Sequence, residues 1–317
     1  MKVKRILLVF LFSFSLIACS YNVEVITPAP TEIIASTSTP WAEGTEMALA
    51  SPTPFPTWTP PAVTQEVTEK PTDFSPVLYG GKVFDSEFFL LLGGAGRDAW
   101  FTPEESVSRF SGEVTYSLSN MTTEAKYFLW GQSPELSPTC GFYTVRSDAG
   151  LDEGGFVAVV DGWTVAKRPV DELSADSEIY QQAALDWLND QGVDDPQLGV
   201  LRVFRVDIEG DGSDEIFLSV TRLDDSQHTT RAGDYSVILM RKVVGNDVAT
   251  TLVVGDVYES KEAEITYPRT YSLANFIDLD QDGVLEVVVE LRHWEGFGAA
   301  VYEVNGENVQ QVLRTEC

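Results

Sequence analysis

The chain has 317 residues, with 49 acidic side chains against 21 basic ones and a formal net charge of -28 at pH 7. Such acidity repels nucleic acid and anionic lipid headgroups, and no basic patch offsets it, so neither is an expected partner. It suits cation binding and solubility outside the cytoplasm.

Lys2, Lys4 and Arg5 precede an apolar run, Ile6 to Ile17, that is too short for a permanent spanning helix. The run ends in Leu16-Ile17-Ala18-Cys19, which resembles the bacterial lipoprotein signal. That resemblance implies cleavage after residue 18, acylation (palmitate) at Cys19, and anchoring on the outer face of a bacterial cell membrane. Residues 19–76 are then the lipidated cysteine and a Thr/Pro-rich tether, as in Ser51-Pro-Thr-Pro-Phe-Pro-Thr-Trp-Thr-Pro-Pro61. This composition buries too little apolar surface to offset its ordering entropy. Extended, it reaches on the order of 180 Å at about 3.1 Å per residue.

Residues 77–172 form an expected β-rich first half, and residues 173–317 a helix plus a second β region. Strands are expected at 88–92, 114–118, 126–130, 141–146, 156–160, 163–166, 235–244, 249–257, 270–277, 299–304 and 309–314, with turns at Gly93-Gly94, Gly154-Gly155, Asp161-Gly162, Gly245-Asn246 and Asn305-Gly306. Thr102-Pro-Glu-Glu105 is a capping box opening a short helix that ends near Phe110. Ile179, Tyr180, Ala183, Ala184, Trp187 and Leu188 recur at helical spacing, capped by Asp176 or Ser177 and closed by Gly192, with Trp187 expected in the core.

The most informative stretch is Asp207-Ile-Glu-Gly-Asp-Gly-Ser-Asp-Glu215, because it returns as Asp278-Leu-Asp-Gln-Asp-Gly-Val-Leu-Glu286. Acidic side chains fall at positions 1, 3, 5 and 9 of each loop and glycine at 6. Alternate carboxylates on a tight turn converge on one point, so the side chains of Asp207, Glu209, Asp211 and Glu215, and of Asp278, Asp280, Asp282 and Glu286, are candidate metal ligands. The carbonyls of Ser213 and Val284 can add to each cage. Two carboxylates about 4 Å apart repel by about 4 kcal/mol at an effective dielectric near 20, so a bound cation is expected, with Ca2+ the best chemical match.

Short β-branched and aromatic runs flank both loops: 201–206 and 216–220 around the first, Phe276-Ile277 and 287–289 around the second. An EF-hand would need helices and a glutamate at position 12, where this chain has Leu218 and Val289. The strand-loop-strand pattern resembles FG-GAP or VCBS (integrin-type) calcium-binding repeats, over residues 200–317 only. It departs from them in Glu209 at position 3 and in glutamate at both positions 9. The loops begin 71 residues apart, at Asp207 and Asp278, which fits one multi-stranded repeat unit. The expected fold is mainly β, with one or two short helices and antiparallel hairpins carrying the two loops, or alternatively a β-propeller fragment. The second loop, with aspartate at 1, 3 and 5 and apolar Val284-Leu285 behind it, is expected to be the more rigid.

If Cys19 is acylated, Cys140 and Cys317 remain as a candidate disulfide pair, or as two thiols. His228 and His293 have no metal-ligand spacing around them, and no nucleophile elbow or Walker loop occurs. Gly93-Gly-Ala-Gly-Arg97 reads as a tight turn rather than a phosphate loop. The expectation is a non-enzymatic, calcium-binding surface lipoprotein with a binding or accessory role and an unidentified protein or glycan partner. The competing expectation is a carbohydrate-binding module or glycoside hydrolase, resting on Trp100, Trp163 and His293-Trp-Glu-Gly-Phe297, with Asp171/Glu172 and Asp224/Asp225 as possible acids.

Overall fold

The computed structural model describes residues 73–83, 86–97, 99–110, 115–122, 124–125, 133–146, 154–163, 166–223, 229–258 and 268–316. The leader, Cys19, nearly all of the tether, the expected strand at 126–130, Asp224/Asp225, His228 and Cys317 lie outside them. Among the described residues the fold is mainly β, with two helices and three antiparallel sheets, none closed into a barrel.

The first sheet contains β1 (Ser75–Val83), β2 (Ser86–Gly96), β3 (Ala99–Phe101), β4 (Tyr116–Ser119), β5 (Glu124–Ala125), β6 (Glu135–Leu136), β7 (Tyr143–Arg146) and β8 (Gly154–Val160). Its order is β5-β4-β8-β1-β2-β7-β6, with β3 paired to β2. Three expectations change here: Gly154-Gly155, expected as a turn, opens β8, with Gly155 paired to Gly81. Folded structure begins before residue 77, because the Ser75 hydroxyl is buried and accepts the Val160 N–H at 3.0 Å. Gly93-Gly94 is not a turn but lies within β2, where a side chain on Gly93 would stand 2.3 Å from the Phe101 carbonyl and one on Gly94 2.2 Å from the Phe74 ring. Between β3 and β4, α1 (Pro103–Val107) carries the full Thr102/Glu105 capping box and stops short of Phe110.

The second sheet follows β9 (Asp171–Leu173) and α2 (Glu178–Asp190) with β10 (Val200–Val206), β11 (Glu215–Thr221), β12 (Asp234–Val244) and β13 (Asp247–Tyr258), in the order β13-β12-β11-β10-β9. The third is β14 (Thr270–Ile277), β15 (Glu286–His293), β16 (Gly296–Asn305) and β17 (Asn308–Glu316), paired in sequence order. The 71-residue spacing is therefore one four-stranded meander, and each acidic loop joins the first two strands of its meander. The expected strand at 163–166 is absent where described: Trp163 and Ala166 carry no ladder pairing.

The third sheet is covered on both faces. Ile277, Leu279, Val288, Ala299, Val301 and Leu313 pack with the first sheet. Phe276, Leu285, Val287, Val289, Ala300 and Tyr302 pack with Phe204, Phe217, Ile238 and Met240 of the second, where the Phe217 and Phe276 rings lie 4.7 Å apart. Alternation along each strand thus sends successive side chains into two different cores. The outer face of the second sheet is covered by α2 through Ala184 and Leu188. The helix buries less of its stripe than its spacing suggests, since Trp187 is only partly buried and Ile179 is exposed beside the β12–β13 hairpin.

Candidate metal centre

Both loops adopt one backbone design. Positions 4 and 6 have positive φ: +74° at Gly210 and +89° at Gly212 in the first, +68° at Gln281 and +91° at Gly283 in the second. The carboxylate at position 5 accepts the N–H of position 7, Asp211 from Ser213 at 2.7 Å and Asp282 from Val284 at 2.6 Å. The position-9 glutamate opens the next strand, is buried, and accepts the N–H of position 2, so Glu215 holds Ile208 and Glu286 holds Leu279. The loops also touch. Leu285 donates its N–H to the Ile208 carbonyl at 2.9 Å, and the Arg168 guanidinium donates to the carbonyls of Ile208 and Gly283.

The charges diverge. In the first loop, Asp207 accepts the amides of Gly210 (2.6 Å), Asp211 (3.2 Å) and Gly212 (2.9 Å). Desolvation would raise its pKa, but those three amides outweigh it and the group sits below the ordinary value. Glu209 is ion-paired and hydrogen-bonded to the Lys242 ammonium, which also stands 3.6 Å from Glu215. Burial alone would lower the Lys242 pKa, yet Glu209 and Glu215 bring it above the usual lysine value. Burial raises Glu215, against the pull of the Ile208 amide and Lys242.

In the second loop, ligand atoms of Asp278, Asp280 and Glu286 all lie within 4.8 Å of one another, and all three residues are buried. Burial, with the neighbouring carboxylates adding to it, pushes Glu286 to about 9 and Asp280 to about 6. Burial also raises Asp278, despite the opposing backbone amides of Gln281, Ala166 and Gly283. Asp278 is only 4% exposed, and its Oδ1 has no hydrogen-bond partner. This cluster could hold a metal ion.

The contrast originates on the third strand of each meander. Ile216 pairs with Arg241, so the residue across from Glu215 is Lys242. Val287 pairs with Tyr302, so the residue across from Glu286 is Glu303. Glu303 adds negative charge near Asp280 and accepts the Trp100 indole N–H from the first sheet. Trp163 completes that wall, donating its indole N–H to the Leu279 carbonyl at 2.7 Å.

Of the expected ligands, the structure therefore gathers Asp278, Asp280 and Glu286, and leaves the exposed Asp282 outside that group, holding Val284. Asp207 is taken up by amides, Glu209 and Glu215 by Lys242, and Asp211 by Ser213. Lys242, Glu303, Arg168 and the two tryptophans are the participants that motif reading does not reach. Cys140 is disulfide-bonded. Asp171 and Glu172 are ion-paired to Arg205 and Arg202, and Trp100 and Trp163 point inward, which leaves Trp294 as the exposed ring of that set. Compared with known protein families, characterised proteins and solved structures, the chain matches none.

Proposed function

We propose that this chain is a calcium-binding surface lipoprotein, anchored through Cys19, whose β domain is held away from the membrane for a binding or accessory role and is not an enzyme. The observation that supports it most is the buried Asp278/Asp280/Glu286 cluster with an unpartnered Asp278 oxygen. Buried carboxylates without a basic side chain among them call for a cation. A donor set of oxygen alone suits a hard ion, and a cage of protein oxygens suits calcium better than magnesium, which retains its waters and demands octahedral geometry. Extracellular calcium modules commonly bind at about 0.1 to 1 mM, so such a site fills outside the cell and acts as a structural part rather than a sensor. The strand-loop-strand setting supports a relationship to FG-GAP or VCBS repeats.

The ion stands where the three sheets meet. Loop two is gripped by Trp163, by Arg168 and by Ile208 of the first loop, while Trp100 of the first sheet holds Glu303 beside it, so its order supports all of them. Thermal unfolding of the soluble domain in calcium and in chelator tests the reading: a lower Tm without calcium is expected, and an identical Tm would contradict it. For the anchor, Cys19→Ser is expected to move the protein from the membrane to the soluble fraction, and retention in the membrane would contradict acylation at that residue.

A further inference from the structure

The geometry points to two different cations in the two loops: a metal ion in the second, and the chain's own Lys242 ammonium in the first, so that one protein molecule takes up one calcium ion rather than two. The inference rests on the calcium reading above for loop two, and on separate observations for loop one. Lys242 reaches Glu209, the position-3 acid, and Glu215, the position-9 acid, from the adjoining strand. Its side chain is 15% exposed and that of Glu215 is 2% exposed, so the ammonium is set into the loop rather than lying over it. Asp207 and Asp211 hold backbone N–H groups much as Asp278 and Asp282 do, so the difference between the loops lies with Lys242. A divalent ion bound between Glu209 and Glu215 would either have to displace the Lys242 ammonium from both carboxylates or stand beside it and be repelled.

The same register position in the other meander carries the opposite sign. Glu303 stands across from Glu286 as Lys242 stands across from Glu215. Chain geometry is otherwise shared down to the two positive-φ positions and the position-9 anchor. The identity of this one residue on the third strand thus decides whether the cation is covalently part of the protein or comes from solution.

Native mass spectrometry and isothermal titration with CaCl2 test this on wild type, Lys242→Gln and Glu303→Lys. Wild type is expected to take up one calcium per chain, Lys242→Gln two, and Glu303→Lys none while remaining folded in chelator. Two calcium ions in wild type would overturn the inference, as would a folded Lys242→Gln protein that still binds only one. If Lys242→Gln does not fold, the wild-type count and Glu303→Lys decide, and calcium binding by Glu303→Lys at wild-type affinity would overturn it. Failure of the calcium reading looks different: wild type would bind none, and a single ion gained by Lys242→Gln would then sustain the Lys242 assignment alone.

Discussion

The loop at 207–215 and the loop at 278–286 share their positive-φ positions, their position-5 turns and a glutamate tied to the backbone, yet one meets Lys242 and the other meets Glu303. Burial differs as well. Asp278, Asp280 and Glu286 are all buried, whereas in the first loop only Glu215 is, with Asp211 exposed. A shared acidic motif therefore specifies a backbone shape and an excess of negative charge, and the neighbouring strand decides what neutralises it. In the first loop the acids at positions 3 and 9 are met by a cation of the chain itself, Lys242. In the second, three buried acids lie together and could hold a metal ion.

The largest expected effect comes from removing Lys242. Lys242→Ala leaves Glu215 buried without its cation, and breaking such a pair costs about 3–5 kcal/mol. Urea unfolding in chelator should show this loss, and calcium should restore part of it; a loss below about 1 kcal/mol would mean that Lys242 is a surface ornament. Next is calcium itself. At a free concentration about 100-fold above Kd, linkage gives about 2.7 kcal/mol, or a Tm rise of roughly 5–10 °C for a domain of this size. Asp280→Ala should abolish that response while Lys242→Ala retains it, and calorimetry of the two variants separates the loops.

A pH effect is also expected in the metal-free protein. Glu286 moves from an ordinary 4.5 to about 9 on folding, so across that window the native state keeps a proton that the unfolded chain releases. Stability from this group is present below about 4.5 and is lost as pH rises toward 9, with Asp280 adding to the loss as pH passes about 6. Chelated protein should therefore lose several degrees of Tm between pH 5 and pH 9, and calcium should flatten that slope. A Tm rising with pH in chelator would contradict the assignment of buried, uncompensated acids. Smallest is the contrast between Asp282→Ala and Asp211→Ala. Both remove the same turn hydrogen bond, worth about 1 kcal/mol, so in chelator they should match. In calcium Asp282→Ala should cost more by about 1 kcal/mol, because its charge lies beside the buried cluster.

Much of this was legible in the sequence because it is local. Alternating acids with glycine at position 6, β-branched flanks and the Thr102/Glu105 box each act within a few residues, and each appears as read. What decides between the loops is not local. Lys242 lies 35 residues beyond Asp207 and Glu303 only 25 beyond Asp278. The offsets differ because the second and third strands are joined across 222–233 in one meander and by the two residues Trp294-Glu295 in the other. Aligning the repeats by position therefore does not superimpose these residues; only the strand register does. Trp163 was read as strand for a related reason: its aromatic character reflects burial against the Leu279 carbonyl and not ladder pairing. Gly93-Gly94, read as a turn, is the close approach of Phe101 and Phe74 to a strand.

The central claim is that calcium enters the second loop and Lys242 fills the first. A crystal structure of the soluble domain grown in calcium, with an anomalous difference map at long wavelength, tests it most directly. The account predicts one peak, about 2.3–2.6 Å from carboxylate oxygens of Asp278, Asp280 and Glu286, with Lys242 still paired to Glu209. A peak between Glu209 and Glu215 with Lys242 displaced, or no peak within the Asp278/Asp280/Glu286 cluster, would contradict it.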